Sequence, residues 1–214
     1  YSITSRSTAG VSCWLMLAAP RLADFSLELS RVCVASAKFA VLAWRMVLAP
    51  IPLADAELRF DPHWLGPVEA DALNTVLTQT VPWGVHRIRL FGREVDSPRL
   101  SCWIGDPEAH YRYSGTDFAP QPWPEALVPL RARLEATLGV PFNSVLANRY
   151  RDGRDAMGWH SDSEPELGAE PVIASISLGA VRRIALKHRS DPQRRLALDL
   201  PAGSLLVMSG ATQR

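Results

Sequence analysis

The chain has 214 residues, of which 47% are hydrophobic and 21% charged, values typical of one globular domain. Its formal net charge of +1 excludes binding of nucleic acid or membranes through bulk charge, so any phosphate-binding surface must be a local cluster of arginines. The three cysteines, Cys13, Cys33 and Cys102, form no CxxC pair. This spacing argues against a disulfide framework and a zinc site, and favours reduced thiols in a cytoplasm.

No stretch of the sequence has the pattern of a transmembrane helix. The most apolar region, 31–49, is interrupted by Lys38 and Arg45. Spanning a bilayer as a helix takes roughly 18 or more uninterrupted apolar residues. We therefore expect no contact with a membrane.

The amino-terminal part of the chain shows little regular pattern. The first residue is Tyr1 rather than methionine, and organised pattern begins just after Met46. We predict an extension over residues 1–45, non-native or disordered, and a domain over residues 46–214 that folds without it.

From Pro50 onward the elements become regular. Residues 57–60 are typical of a short strand, and the stretch GPVEADALNTVLTQTV has a proline where a first helical turn tolerates one. The apolar residues Leu73, Val76 and Leu77 in this stretch have helical spacing. The sequence therefore predicts a strand followed by a helix.

Two further regions carry clear periodicity. Residues 85–105 alternate apolar and polar side chains around turn residues, which predicts strand, turn, strand. Residues 124–139 have leucines at helical spacing, with Gly139 as the expected stop and Pro129 weakening the first half. This pattern predicts a second helix.

Short apolar runs separated by turn residues follow Gly139. They are NSVLANRY, VIASISLGA, RRIALKH, LALDLP and SLLVMS. Strands at this spacing predict a mainly β domain, α+β in class, built as a sandwich or barrel with helices packed on one side.

A histidine and an aspartate lie two residues apart in the segment GWHSD. If this segment is extended, His160 and Asp162 point to the same side and can present an imidazole and a carboxylate to one point. These are two of the three protein ligands of the facial triad that binds Fe(II) and leaves positions open. The alternative is a surface loop in which Asp162 caps a turn and His160 is solvated.

The surrounding residues resemble the AlkB family of 2-oxoglutarate- and Fe(II)-dependent dioxygenases. The resemblance rests on NRYRDGRDAMGWHSDSEPEL and PVIASISLGAVRRIALKHR and extends from about Arg87 to Met208. It implies a double-stranded β-helix (jelly-roll) core. It also implies oxidative dealkylation of N-alkylated bases with Fe(II), 2-oxoglutarate and O2, releasing formaldehyde, succinate and CO2.

The resemblance also implies roles for individual residues. His160 and Asp162 match the iron ligands, and Asn148 and Tyr150 match the residues that bind 2-oxoglutarate. An amide and a phenol two apart on one strand face suit carboxylate oxygens. Without the resemblance, Tyr150 would be interpreted as a half-buried strand tyrosine.

A substrate lid is implied by the segment Tyr111-Arg112-Tyr113-Ser114-Gly115. The resemblance places Tyr111, Tyr113 and Ser114 near an extruded base, where stacking on an aromatic ring stabilises binding by roughly 1–3 kcal/mol. Glu164 matches a position that contacts the base. Otherwise the tyrosines would be packing residues and Glu164 an exposed loop residue.

Several arginines have the chemistry to bind phosphate, since the guanidinium matches phosphate oxygens. The candidates are Arg99, Arg112, Arg149, Arg151 and Arg154. A solvated basic face explains the same cluster equally well.

The sequence departs from the family after Met208. The second histidine ligand and the arginines that pair with 2-oxoglutarate are absent from the six residues that follow, so we expect a jelly roll incomplete at its carboxyl end. Two protein ligands hold iron less securely than three.

Three functional hypotheses remain open. The first is a monomeric dealkylase of nucleic acid, DNA above all, in the cytoplasm or, in a eukaryote, the nucleus. The second keeps the cofactors but acts on tRNA or protein. The third is a metal-free β-sandwich that only binds a partner, and a metal titration separates it from the first two.

Overall fold

The structure is a computed structural model that describes residues 1–7, 10–19, 48–90, 93–113, 116–162, 167–168 and 170–213. The side chains at 7, 88–90, 94, 111–113 and 116–118 lie outside this description.

The strands are, in chain order, β1 (Ser2–Ser7), β2 (Ser12–Ala18), β3 (Ala49–Ile51), β4 (Glu57–Asp61), β5 (Gly84–Leu90), β6 (Arg93–Gly105), β7 (Tyr111–Tyr113), β8 (Thr116–Phe118), β9 (Ser144–Tyr150), β10 (Ala156–His160), β11 (Ile173–Gly179), β12 (Arg182–Lys187), β13 (Arg195–Leu200) and β14 (Leu205–Ser209). The helices of the described residues are α1 (Pro67–Thr80) and α2 (Val128–Leu138), with 3-10 turns at Glu125–Leu127 and Gly210–Gln213.

Two antiparallel sheets form the body of the fold. The larger has the strand order β3-β4-β14-β11-β2-β9-β6-β5, and the smaller has the order β10-β1-β12-β13. From β9 to β12 the chain alternates between the two sheets, one strand at a time. This alternation is that of a jelly roll, so the predicted mainly β fold is confirmed.

Strand β2 shows how the two cores are arranged, because successive side chains of a strand point to opposite faces. Cys13, Leu15 and Leu17 join a core that includes buried leucines of α1 and α2. Trp14 and Met16 join the core that lies between the two sheets. The helices therefore cover one face of the larger sheet, and the smaller sheet covers the other.

Helix α1 forms where the sequence predicted a helix, but not every residue of its predicted apolar stripe is buried. Leu73 and Leu77 are buried, whereas Val76 is 40% exposed, and Ala70 completes the buried face instead. The buried positions are thus spaced three and four apart, which keeps them on one side of the helix.

Helix α2 begins later than predicted, at Val128, because the three preceding residues form a 3-10 turn. Pro129 then lies in the first helical turn, where a missing N–H leaves no hydrogen bond unmade. Gly139 ends the helix as predicted, with a φ of 71° that favours glycine.

The amino-terminal strands differ from the expected separate extension. Strand β1 pairs with β10 and β12, and β2 lies between β11 and β9 in the larger sheet. Every residue of β2 is buried. Residues 20–47 lie outside the described residues, so the boundary at residue 46 stays a prediction.

Neither α1 nor α2, the helices of the described ranges, is long and apolar enough to cross a membrane.

Candidate metal and cosubstrate site

His160 and Asp162 lie together at the end of β10. Strand β10 ends at His160, and the chain continues for two residues so that Asp162 Oδ1 comes within 3.4 Å of His160 Nε2. The two side chains are 26% and 14% exposed. The structure thus brings together the two residues that the sequence predicted as iron ligands.

The orientation of the His160 ring is fixed by its other nitrogen. Nδ1 lies 2.9 Å from the backbone oxygen of Gly158, and since a carbonyl only accepts, Nδ1 is the donor. Nε2 is therefore the nitrogen that faces Asp162. Burial lowers the pKa of His160, but the hydrogen bond and the charge of Asp162 outweigh it and raise the pKa above its usual value.

Asp162 is held by backbone contacts and keeps one oxygen unpaired. Its backbone N–H donates to Gln213 Oε1 at 3.1 Å, and the neighbouring Ser161 Oγ donates to the backbone oxygen of Tyr1 at 2.6 Å. Asp162 Oδ2 is buried and accepts no hydrogen bond from the described residues. A buried carboxylate oxygen without a donor is a costly arrangement that a bound cation would relieve.

An imidazole and a carboxylate at this distance are able to bind one divalent cation, and this donor set suits Fe(II). Among the residues that the structure describes, no cluster of three His, Cys, Asp or Glu side chains completes such a site.

Asn148 and Tyr150 occupy alternate positions of β9 and are fully buried. Asn148 lies directly opposite Trp14 of β2, and Trp14 and Tyr150 both belong to the core between the sheets. The two predicted 2-oxoglutarate residues therefore face the interior of the jelly roll on one side of the strand.

Two cations surround these residues. Arg99 Nε donates to Asn148 Oδ1 at 2.6 Å, and the Arg182 guanidinium lies 3.2 Å from the centroid of the Tyr150 ring. Burial raises the pKa of Tyr150, and the charges of Arg99 and Arg182 offset this only in part. The phenol therefore stays protonated and available as a donor.

Arg99 contacts a cosubstrate candidate, and the phosphate contact proposed for it stays a prediction. Its side chain contacts Asn148, and Nη1 also donates to Ser97 Oγ at 3.1 Å. Its charge also lowers the pKa of His160. Arg99 thus lies beside the cosubstrate candidate Asn148.

Two other phosphate candidates are paired with acids. Arg151 makes an ion pair of 2.8 Å with Asp155, and Arg154 makes one of 2.8 Å with Asp152. These contacts close the turn between β9 and β10. They neutralise part of the local positive charge that the sequence had offered for phosphate binding.

The predicted lid is described only in part. Tyr111 and Tyr113 lie on β7, which pairs with β8 as a hairpin, but their side chains lie outside the description. Ser114 and Glu164 lie outside the described residues altogether. Their contacts with a base stay predictions.

Arg182 is the residue of this region that the sequence reasoning missed. It begins β12 in phase with Ile184 and Leu186, so it shares their inward face and is fully buried. A charged residue in step with the apolar positions of a strand was the signal that could have revealed it.

Comparison with known proteins agrees with this geometry. Residues 57–214 match the family model described as the 2OG-Fe(II) oxygenase superfamily. The chain is similar to the rat protein "Alpha-ketoglutarate-dependent dioxygenase alkB homolog 3", with 41% identity over 68% of the chain and 52% of the relative. The human homolog 3 is 39% identical over 71% of the chain and 56% of the relative.

A second group of relatives carries a name that states its substrate. The human "DNA oxidative demethylase ALKBH2" is 37% identical over 69% of the chain and 60% of the relative. The chain spans about half the length of the curated relatives it matches, 52% for the rat protein. With the family model covering most of the chain and this degree of identity, the chain belongs to the AlkB family of 2-oxoglutarate- and Fe(II)-dependent oxygenases.

Proposed function

We propose that the protein removes N-linked alkyl groups from bases of nucleic acid, DNA first, by oxidation with Fe(II), 2-oxoglutarate and O2. The observation that carries the proposal is the convergence of His160 Nε2 and Asp162 Oδ1, 3.4 Å apart, at the end of β10. The names of the relatives support the choice of substrate.

In this proposal His160 and Asp162 hold the iron. The metal and 2-oxoglutarate together supply the oxidation, in which O2 converts the cosubstrate to succinate and CO2 and the N-alkyl carbon leaves as an aldehyde. The protein supplies binding, orientation and exclusion of water.

The contacts around the two ligands support this role. The Gly158 carbonyl holds the His160 ring with Nε2 turned toward Asp162. Gln213 accepts a hydrogen bond from the Asp162 backbone, and Tyr1 accepts one from the Ser161 side chain. These contacts hold the segment that joins the two ligands before a metal binds. Such supporting hydrogen bonds are typical of metal-binding histidines and carboxylates.

Asn148 and Tyr150 bind 2-oxoglutarate in this account. Because Arg99 donates to Asn148 Oδ1, the Asn148 Nδ2 group is the donor that remains for a ligand. Within the protein, Nδ2 makes only a long hydrogen bond of 3.4 Å with the Leu146 backbone oxygen. Tyr150 offers its protonated hydroxyl, which lies 3.5 Å from Ser5 Oγ.

The base-contacting residues of the proposal are Tyr111, Tyr113, Ser114 and Glu164. Tyr111 and Tyr113 lie on β7, which pairs with β8. Stacking on an aromatic ring tolerates any base, which suits an enzyme that acts on damaged bases.

The test is release of formaldehyde from an oligonucleotide that contains 1-methyladenine. We expect release by the wild-type protein only when Fe(II) and 2-oxoglutarate are both present, none by His160→Ala, and normal release by His63→Ala, which changes an exposed histidine. Release by His160→Ala at the wild-type rate would contradict the proposal. A parallel assay with methylated RNA and tRNA decides between the nucleic-acid substrates.

A further inference from the structure

Strand β13 forms one edge of the smaller sheet. The strand order of this sheet is β10-β1-β12-β13, and within the described ranges β13 pairs only with β12. An edge strand presents backbone N–H and C=O groups that no neighbouring strand satisfies, so it is a template for pairing with another chain. Strand β10, which ends at His160, lies at the opposite edge.

A hydrogen bond at the start of the β12–β13 ladder shows which backbone groups face this edge. The His188 N–H donates to the Arg194 carbonyl at 2.9 Å. Because hydrogen-bonded positions alternate along an antiparallel ladder, the even-numbered residues of β13 are the ones that bond to β12. The backbone groups of Arg195, Ala197 and Asp199 therefore point away from β12, toward the edge.

The side chains of β13 alternate in the same rhythm. Arg195, Ala197 and Asp199 are exposed on the outer face of the sheet. Leu196 and Leu198 pack against the core between the sheets but are only partly buried. The edge therefore keeps apolar surface that a further strand would remove from water.

The sequence of β13 is complementary to itself about Ala197. When a second copy of β13 runs antiparallel with the two Ala197 residues opposite each other, Arg195 of one copy faces Asp199 of the other. Leu196 faces Leu198 in the same way. The residues whose backbone groups point to the edge lie opposite one another in this register, so these groups form hydrogen-bonded pairs.

The charges favour this register. Within one chain Arg195 lies directly opposite Lys187, and like charges in this position weaken a sheet. The two oxygens of Asp199 each accept one hydrogen bond from Arg183, at 2.7 and 2.8 Å, and an ionised carboxylate accepts about four. Asp199 can therefore bind Arg195 of a second copy as well.

Other registers are less favourable. A shift of two residues in either direction separates Arg195 from Asp199. In one direction it also places Pro201, which has no N–H, opposite Arg195. Charged residues usually protect an edge strand from pairing, but here the symmetric register brings opposite charges together.

We propose that two copies of the chain form a symmetric dimer in which their β13 strands pair antiparallel about Ala197. The two smaller sheets then become one continuous sheet, and the contact closes on itself because the same surface is used twice. This differs from the monomer expected from the sequence. It does not depend on the proposed function, because His160 lies at the opposite edge of each sheet and stays uncovered.

The test is sedimentation equilibrium of the full chain over a range of concentrations. Strand β13 has 6 residues, so the interface is small, and we expect a dissociation constant between roughly 1 µM and 1 mM. Arg195→Asp and Asp199→Arg should each weaken self-association at least about 10-fold, because like charges then face each other twice. An equal mixture of the two variants should form a mixed dimer, because opposite charges face each other again.

Arg59→Asp is the matched control. It makes the same change of charge at an exposed position of β4, in the larger sheet, and should associate as the wild-type protein does. A wild-type protein that stays monomeric over the whole range would overturn the inference. Equal weakening in Arg59→Asp and Arg195→Asp, or a mixture of the two β13 variants that stays monomeric, would also overturn it.

Amide hydrogen exchange measured by nuclear magnetic resonance tests the backbone pairing without a substitution. The N–H groups of Ala197 and Asp199 should exchange more slowly at high than at low protein concentration. Those of Leu196 and Leu198, which bond to β12 in either state, should change much less. Exchange at Ala197 that does not depend on concentration would contradict the pairing.

Discussion

Arg99 Nε donates a hydrogen bond of 2.6 Å to Asn148 Oδ1, so a residue of β6 fixes the amide of a residue of β9. Because a guanidinium only donates, this contact decides which end of the amide is the oxygen. Asn148 is fully buried, so its amide is inaccessible to bulk water. If Asn148 binds 2-oxoglutarate as proposed, Arg99 is therefore a positioning residue for it.

The first prediction concerns Arg99. Arg99→Ala should weaken 2-oxoglutarate binding about 10-fold, because the Asn148 amide loses its fixed orientation. Arg99→Lys, which keeps a donor, should retain part of the wild-type affinity. Calorimetry with Mn(II) measures this, with Arg59→Ala, which changes an exposed arginine, as control. A loss of DNA affinity with unchanged 2-oxoglutarate affinity would instead support the phosphate contact predicted from the sequence.

The second prediction concerns the amino-terminal strand β2. Leu15 is fully buried in the larger sheet, so Leu15→Ala should lower the free energy of unfolding by about 2–5 kcal/mol. Val11→Ala, at a position 42% exposed just before β2, should have a small effect. Urea denaturation measures both, and equal stability of the two variants would contradict the placement of β2 in the sheet.

The third prediction concerns the turn between β9 and β10. Asp155 accepts hydrogen bonds from the Arg151 backbone and side chain at 2.8–2.9 Å, and these contacts hold the pKa of Asp155 below its usual value. A carboxyl whose pKa is lower in the folded state stabilises the fold above its unfolded pKa, near 3.8, and loses this effect as the pH falls through the lower folded value.

Asp155→Asn should therefore lower the free energy of unfolding by about 1–2 kcal/mol at pH 7, and the difference from wild type should shrink below about pH 4. Asp71→Asn, which changes an exposed carboxylate of α1, is the control and should leave the free energy of unfolding and its pH dependence nearly unchanged. A pH-independent difference for Asp155→Asn would show that charge is not the cause.

The fourth prediction concerns the lid tyrosines. If Tyr111 and Tyr113 stack on the extruded base, each Tyr→Ala change should lower kcat/KM for the methylated oligonucleotide. The lowering should correspond to a loss of about 1–3 kcal/mol in transition-state stabilisation. Each Tyr→Phe change should retain most of the activity. Mn(II) affinity should stay unchanged in all four variants. Equal activity of the Ala and Phe variants would contradict stacking of the ring on the base.

Much of the fold followed from local pattern. The helix at Pro67–Thr80 and the strands around Asn148, Ile173 and Leu205 were predictable, because periodicity and turn residues agree there with the final packing. His160 and Asp162 were predictable as a pair, because an extended chain places alternate side chains on one side.

The rest depended on contacts between distant parts of the chain. Strands β1 and β2 lie in the two sheets only through pairing with strands that begin after residue 143, and such pairing leaves no local signal. The same holds for Arg99, whose partner Asn148 is 49 residues away, and for Arg182, which contacts Ser5. Sequence pattern alone therefore assigned Arg99 to phosphate and gave Arg182 no role.

The most direct test of the account is titration with Mn(II), followed by the loss of the free-ion electron paramagnetic resonance signal. We predict that the wild-type protein binds one ion, that His160→Ala and Asp162→Ala each bind at least about 10-fold more weakly, and that His63→Ala binds normally. Wild-type binding that both ligand variants retain, or no binding by the wild-type protein, would contradict the metal site on which the proposed chemistry depends.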